Sequence, residues 1–193
     1  SRQTMSNWLI RASEDWLEPV YMEMKRRLCE HNVLHADETV LQVLKEPGKT
    51  AQSKSYMWLY RTSGEAKNQI VLYDYQPDRK HAHPEEFLKD FSGYLHADGY
   101  DGYHKLSDRI IVVGCLAHLR RKFFDALKTL PKDKQSSSNA ATGVAYCDRL
   151  FKLEKQFALL TSEARLRERG RQSTPLIDEF YNWIGHLNAL PNT

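Results

Sequence analysis

The sequence predicts an α/β fold in which a mixed five-stranded sheet is flanked by helices and followed by a helical tail. Three observations support this fold class. Segments with strand-like alternation follow one another from residue 33, and only turn residues separate them. Helical and strand-like segments then alternate as far as residue 130, and beyond the polar segment 131–143 the pattern is helical throughout.

A helical lead-in is predicted over residues 1–32. Apolar residues recur near helical spacing between Met5 and Leu28. Pro19 lies inside this segment, and because proline has no N–H to donate, we expect it to kink or divide the helix. The pattern is already helical at Ser1, where no initiator methionine stands. We therefore expect the chain to be a fragment of a longer protein.

Three strands are predicted after Asn32. Their sequences are VLHADETVLQVL, YMWLYRT and QIVLYDY. The segments between them, EPGKTAQSK and SGEAKN, are rich in turn residues. Because the links are short, the three strands are expected to form an antiparallel meander.

Helices and strands alternate in the next part of the chain. A short helix (HPEEFLKDF) precedes a fourth strand (GYLHAD), and a short helical or turn segment (YDGYHKL) precedes a fifth (RIIVVG). Crossovers of this kind make the last two strands parallel. Such a sheet matches the ribonuclease H-like topology, in which the first and fourth strands are neighbours. The amphipathic helix CLAHLRRKFFDALKTL ends this part of the chain.

The same patterns predict the domain organisation. A chain of 193 residues can bury one sizeable core and carry a helical appendage. We assign residues 33–130 to a partial ribonuclease H-like core and residues 131–143 (PKDKQSSSNAATG) to a polar linker. Residues 144–193 are then a helical insertion segment with one long and one medium helix.

Composition and charge narrow the classes of protein. No apolar run approaches the roughly 18 residues of a membrane helix, and no secretory leader is recognisable, so we expect a cytoplasmic protein with no membrane partner. Three widely spaced cysteines do not form a disulfide framework. A net charge of +3 does not by itself indicate nucleic-acid binding. The cations are nevertheless clustered in short runs, which most often are solvated helix faces.

The tripeptide His-Ala-Asp occurs twice, ending at Asp37 in the first predicted strand and at Asp98 at the end of the fourth. If those strands are neighbours, the two carboxylates lie close together. They then repel each other unless a cation neutralises them, and such oxygen ligands suit Mg²⁺ or Mn²⁺. Sites of this kind catalyse in-line displacement at phosphorus. Two simpler interpretations stay open. In one of them Asp98 only forms a turn together with Gly99, and in the other Asp37 occupies an exposed edge position.

Several spaced motifs carry a family resemblance. HADET, HADGYDGY and GCLAHLRRKFFDAL follow one another in the order seen in the transposase core of the insertion-sequence sixty-six family. The flanking segments SRQTMSNW and YNWIGHL resemble that family as well, so the likeness covers nearly the whole chain.

The resemblance implies a D-D-E DNA transposase with a ribonuclease H-like fold and a two-metal site for Mg²⁺ or Mn²⁺. Asp37 would be the first acid and Asp98 the second. It also implies DNA partners (transposon ends and target), a homo-oligomer when complete, and a place at the bacterial nucleoid. The third acid of the family is a glutamate in an asparagine-rich motif that this sequence lacks. We assign that role to none of the late glutamates, which are Glu154, Glu163, Glu168 and Glu179.

Two further groups of residues are auxiliary candidates. Cys115 and His118 form a Cys-x-x-His element like one in similar transposases; His118 would order the site or contact DNA, or both residues would be buried at a helix start. Arg120, Arg121 and Lys122 follow on the same helix and are expected to contact the DNA backbone.

Other interpretations of the chain compete with a catalytic core. One is a non-catalytic DNA-binding remnant of a transposase. Another is a haloacid-dehalogenase-like phosphatase, but that family needs Asp at the third position of a DxD motif, where Thr39 stands. His35 and His96 point to the same side of their strands as the two aspartates, so they are expected either to support those carboxylates or to bond to backbone.

Overall fold

The structure, a computed structural model, describes residues 1–188. The chain divides into two compact units. The first unit is Ser1–Cys115 and contains the sheet; the second begins at Leu116 and is helical. The sequence patterns place residues 116–130 in the same core as the sheet. In the structure the boundary between the two units lies between Cys115 and Leu116.

The first unit opens with two helices, α1 (Arg2–Ala12) and α2 (Glu18–Cys29). A π-helical turn, Ser13–Leu17, joins them. Pro19 lies in the first turn of α2. Since proline cannot donate the hydrogen bond that would continue an α-helix across this point, the wider turn before it is the expected accommodation. The expected division of the lead-in at Pro19 is thus confirmed.

The sheet contains five strands in the order β3-β2-β1-β4-β5. Their bounds are β1 Val33–Gln42, β2 Lys54–Thr62, β3 Val71–Gln76, β4 Gly93–Ala97 and β5 Ile110–Gly114. The pairs β1–β2 and β2–β3 are antiparallel, whereas β1–β4 and β4–β5 are parallel. The mixed five-stranded sheet, with its first and fourth strands adjacent, confirms the prediction.

One face of the sheet holds the core of the first unit. Alternation places Leu34 and Ala36 of β1 on this face, beside Tyr60 of β2 and Leu95 of β4, and all four are buried. The ring of Phe87, from α3 (Ala82–Phe87), stacks on Tyr60 with ring centroids 3.7 Å apart. Position 38 continues the same alternation and pairs with buried Trp58, so Glu38 is directed to the core face.

The start of β4 depends on a glycine. Gly93 has φ of 148°, and a Cβ there would lie 2.5 Å from the carbonyl oxygen of Asn32. That carbonyl accepts a hydrogen bond from the N–H of Tyr94 at 2.9 Å. A side chain at position 93 would therefore separate β4 from the residue that precedes β1.

The second unit consists of helices throughout its described part. They are α4 Leu116–Thr129, α5 Lys132–Gln135, α6 Asn139–Phe157, α7 Ser162–Glu168 and α8 Thr174–Asn188, with a π-helical turn at Arg169–Ser173. Gly143 of α6 is buried against the ring of Phe123 on α4, and its lack of a Cβ allows that close approach. Aromatic rings from α4, α6 and α8 cluster around Phe180.

The polar segment 131–143 is not an extended linker. It contains α5 and the start of α6. Ser138 caps α6, because its hydroxyl accepts a hydrogen bond from the N–H of Ala141 at 3.1 Å. The serines that indicated a loop therefore include a helix start signal. The last residues of the expected helical tail, 189–193, lie outside the described part of the chain.

None of the helices described over residues 1–188 combines the length and the apolar character that crossing a membrane requires.

Candidate active site

The two candidate aspartates lie at the same end of two adjacent parallel strands. The strands β1 and β4 pair in register, with His35 opposite His96. Asp37 follows two residues later within β1, and Asp98 directly follows β4. Asp37 is exposed, and the Asp98 side chain retains 23% of its accessible surface. Both carboxylates are thus carried at matching positions by the central pair of parallel strands.

The alternative explanation of Asp37 as an exposed edge position stays open, because Asp37 is exposed and β1 pairs with β4 only as far as His35. The strand β1 lies in the middle of the sheet, and Asp37 pairs with Leu59 of β2. Its Oδ1 accepts a hydrogen bond from the N–H of Glu38 at 3.0 Å. A role of the Asp37 carboxylate in binding a ligand stays a prediction.

The Asp98 carboxylate forms a turn, and this does not prevent it from having a second partner. Oδ1 accepts a hydrogen bond from the N–H of Tyr100 at 2.9 Å, which is the turn chemistry expected at Asp98-Gly99. Oδ2 lies 3.8 Å from Nη2 of Arg79. The turn holds one oxygen and orients the carboxylate, and a carboxylate has lone pairs for more than one partner.

His35 and His96 contact each other directly. Their ring centroids are 4.6 Å apart at an angle of 59°. Burial lowers the pKa of His35 below its ordinary value, and the positive charges of His96 and Arg61 add to that effect. A neutral imidazole can accept or donate a hydrogen bond beside the aspartates, so a supporting role for these histidines stays a prediction.

Glu38 is a feature of the site that the sequence analysis missed. Its side chain is only 2% exposed, and two donors satisfy it. The Tyr103 hydroxyl donates to Oε2 at 2.7 Å, and Nε of Arg79 donates to Oε1 at 2.7 Å, with Nη2 as a second donor. Burial raises the pKa of Glu38, and these hydrogen bonds oppose that rise. The signal was present: Glu38 continues the alternation of Leu34 and Ala36 on the core face.

Arg79 connects this buried carboxylate to the candidate site. The Arg79 guanidinium lies 4.1 Å from the centroid of the Tyr100 ring, and the Tyr100 hydroxyl donates to the Arg79 carbonyl. The rings of Tyr100, Tyr103 and Trp58 pack edge to face or tilted, with centroids 5.7–6.2 Å apart. Through the Tyr103 hydroxyl this aromatic group is bonded to Glu38, and through the Tyr100 hydroxyl it holds the backbone at Arg79.

The donor set at this end of the sheet is suited to a hard cation. Among residues 1–188, no group of three or more His, Cys, Asp or Glu side chains is arranged to hold a metal ion. Asp37 and Asp98 provide two accessible carboxylates, and Mg²⁺ characteristically takes one or two from a protein and completes its shell with water or phosphate oxygens. The residues present therefore fit one part of a magnesium or manganese site.

The auxiliary residues belong to different units. Cys115 is half-buried at the end of the first unit, and its N–H donates to the carbonyl of Ala97 at 2.9 Å. His118 lies in the first turn of α4 in the second unit. Their shared role stays a prediction.

The three cations on α4 differ in their surroundings. Arg120 pairs with Asp148 of α6, with Nε and Oδ1 2.6 Å apart. Arg121 and Lys122 are exposed. The ion pair gives Arg120 a role in joining α4 to α6, and contacts of the three cations with phosphates stay a prediction.

Comparisons with known proteins identify the family of the chain. The family model described as "Transposase IS66 family" matches residues 1–192. The chain is also similar to three uncharacterized proteins of Sinorhizobium fredii (strain NBRC 101917 / NGR234). The proteins y4hP and y4qI are both 28% identical to it, over 90% and 98% of this chain. A third, y4jD, is 27% identical over 91%. The chain spans only 34–36% of the length of these relatives. No solved structure gives a significant match.

Proposed function

Because the chain belongs to the IS66 transposase family, we propose that it forms part of the catalytic core of a DNA transposase. The reaction is metal-dependent phosphoryl transfer, in which DNA strands are cleaved and transferred during transposition. The chain covers about a third of its relatives' length, so this activity is proposed for the whole protein that contains it.

One observation supports this proposal most strongly: Asp37 and Asp98 lie at the same end of the adjacent parallel strands β1 and β4. The strand order β3-β2-β1-β4-β5, with an antiparallel meander on one side and parallel strands on the other, is the order expected of the ribonuclease H-like core that we propose. Two carboxylates at that position would serve as the first two acids of a D-D-E site.

We propose that Asp37 and Asp98 hold Mg²⁺ or Mn²⁺ in a two-metal site. Bound metal would activate the attacking oxygen and stabilise the leaving oxygen. The residues of the chain have simpler tasks. The strand pair fixes the spacing of the carboxylates, and the hydrogen bond from Tyr100 N–H sets the orientation of Asp98.

The third acid is proposed to lie outside this chain. Three of the late glutamates are engaged within the helical unit: Glu154 with Arg169, Glu168 with Arg171, and Glu179 with the Tyr146 hydroxyl and Arg149. Glu163 lies in the first turn of α7. These contacts give the engaged glutamates a structural explanation.

DNA is the proposed partner, bound at transposon ends and at the target, with exposed Arg121 and Lys122 contacting phosphates. The complete protein is proposed to act as a homo-oligomer on DNA in the bacterial cytoplasm. The alternative, a DNA-binding remnant without catalysis, is favoured because residues 1–188 contain no group of three or more His, Cys, Asp or Glu side chains arranged to hold a metal ion. Metal binding separates the two proposals.

The test is a calorimetric Mn²⁺ titration of the chain and three variants. We expect wild-type protein to bind Mn²⁺ and both Asp37→Asn and Asp98→Asn to lose most of that affinity. Asp108→Asn is the matched control, because Asp108 is exposed and precedes β5, at the opposite end of the parallel strands. Absence of Mn²⁺ binding by the wild type, or an equal loss in the control, would refute the catalytic proposal and leave the remnant.

A further inference from the structure

An ion pair between the buried Glu38 carboxylate and the exposed Arg79 guanidinium lies next to the Asp98 carboxylate. Arg79 makes two hydrogen bonds to Glu38, one of them from Nε at 2.7 Å. The same guanidinium is 3.8 Å from Asp98 Oδ2, which is beyond hydrogen-bond distance. One cation is thus shared unequally between two carboxylates.

The difference in burial between the Glu38 and Asp98 carboxylates explains why they share Arg79 unequally. The Glu38 side chain is 2% exposed and the Arg79 side chain 40%. A buried carboxylate without its cation is strongly destabilising, whereas Asp98 can be solvated where it stands. Glu38 is therefore the obligatory partner of Arg79, and the interaction with Asp98 is secondary.

Glu38 is poorly placed to bind a metal ion itself, because its side chain is only 2% exposed. Tyr103 donates to its Oε2 and Arg79 to its Oε1, so both carboxylate oxygens are already bonded. The Tyr100 ring lies 4.1 Å from the guanidinium and limits where Arg79 can move. Among the groups in this network, only Asp98 presents an accessible carboxylate towards the end of β1 and β4.

We propose that Glu38 is a positioning residue: it retains Arg79 as its own ion-pair partner and so keeps the Asp98 carboxylate available to a divalent cation. This inference rests on the proposed role of Asp98 as a metal ligand. If Glu38 were neutral, Asp98 would be the nearest charged partner of Arg79. The guanidinium would then compete with the metal ion for the same oxygens.

The first test is a double-mutant cycle measured as Mn²⁺ affinity. Glu38→Gln keeps the shape of the side chain and removes its charge, and we expect it to weaken Mn²⁺ binding by about tenfold or more. Arg79→Gln should leave the affinity unchanged or raise it, because the competing cation is gone. The double variant Glu38→Gln/Arg79→Gln should recover affinity to within about threefold of wild type.

The control is Glu46→Gln. Glu46 resembles Glu38 in its contacts: its side chain is 12% exposed, it accepts from the Tyr75 hydroxyl at 2.7 Å, and it pairs with Lys49 at 3.4 Å. It lies beyond the end of β1 and should not affect Mn²⁺ binding. The inference is overturned if Glu38→Gln binds Mn²⁺ as wild type does. It is also overturned if the double variant stays as weak as Glu38→Gln, since recovery is the signature that a purely structural role would lack.

A crystal structure of Glu38→Gln without metal separates this inference from the proposed function. We expect the Arg79 guanidinium to move from 3.8 Å to hydrogen-bond distance from Asp98. If the wild type binds no Mn²⁺ but Arg79 moves in this way, the metal role fails and the retention of Arg79 by Glu38 stands. If Arg79 stays where it is, the inference is wrong whatever the wild-type affinity.

Discussion

The substitution Tyr103→Phe tests how strongly the sheet depends on the hydrogen bond that covers Glu38. Tyr103 is fully buried, and its hydroxyl donates to Glu38 Oε2 at 2.7 Å. Phenylalanine keeps the ring contacts with Trp58 and Tyr100, which have centroid distances of 6.0 and 5.7 Å. Only the donor is lost, so the change isolates one hydrogen bond to a carboxylate that is 2% exposed.

The expected loss of unfolding free energy is about 2 kcal/mol. A hydrogen bond to a charged group contributes about 1.5–3 kcal/mol, and water cannot easily replace a donor in a buried position. The loss should stay below the roughly 3–5 kcal/mol that follows the removal of a buried ion-pair partner, because Arg79 remains in contact with Glu38.

Urea unfolding followed by the amide signals of β1 and β4 measures this loss within the first unit. Tyr75→Phe is the matched control, since Tyr75 donates to Glu46 over the same 2.7 Å but is 40% exposed. Water can replace its hydroxyl, and we expect a loss below about 1 kcal/mol. Equal losses in the two variants, or a loss under about 0.5 kcal/mol for Tyr103→Phe, would refute the reasoning.

Two further predictions concern the start of β4 and the cations of α4. Gly93→Ala should lower the unfolding free energy by about 1–3 kcal/mol because of the φ of Gly93 alone, and the contact with the backbone before β1 adds to this loss. Gly64→Ala is the control: a Cβ at position 64 would lie in open space, so the unfolding free energy should change by less than about 1 kcal/mol. Urea midpoints distinguish the two, and equal effects would contradict the steric argument. Replacing Arg121 and Lys122 together by alanine should reduce the salt dependence of DNA binding by about two units of slope in log affinity against log salt. Arg120→Ala should leave that slope unchanged and lower the stability of the helical unit instead; the reverse result in a filter-binding assay would contradict the assignment.

The sheet could be predicted from the sequence because its signals are local. Alternation such as that of VLHADETVLQVL and the turn residues between strands define the meander, and the helical crossovers define the parallel pair. The matching positions of Asp37 and Asp98 follow from that topology. The ion pair between Glu38 and Arg79 could not be predicted in the same way, because 41 positions separate its partners and only the folded chain brings them together.

Other local patterns in the sequence are compatible with more than one structural role. The serines and lysines of residues 131–143 are typical of a loop, yet Ser138 is an N-cap and the lysines lie on exposed helix faces. Arg120 belongs to a basic run that predicts DNA contacts, and in the structure it also pairs with Asp148 on α6. The helix start at Ser138 and the ion pair of Arg120 both depend on how the helices pack in three dimensions. A single sequence does not contain that information.

Anomalous diffraction from crystals of the chain soaked in Mn²⁺ tests the central claim most directly. The claim is that Asp37 and Asp98, at matching ends of β1 and β4, share a divalent cation. We predict an anomalous peak with an oxygen of each carboxylate at about 2–2.5 Å, and its disappearance in Asp37→Asn. A site bound by neither aspartate, or no peak in protein that remains folded, would contradict the account.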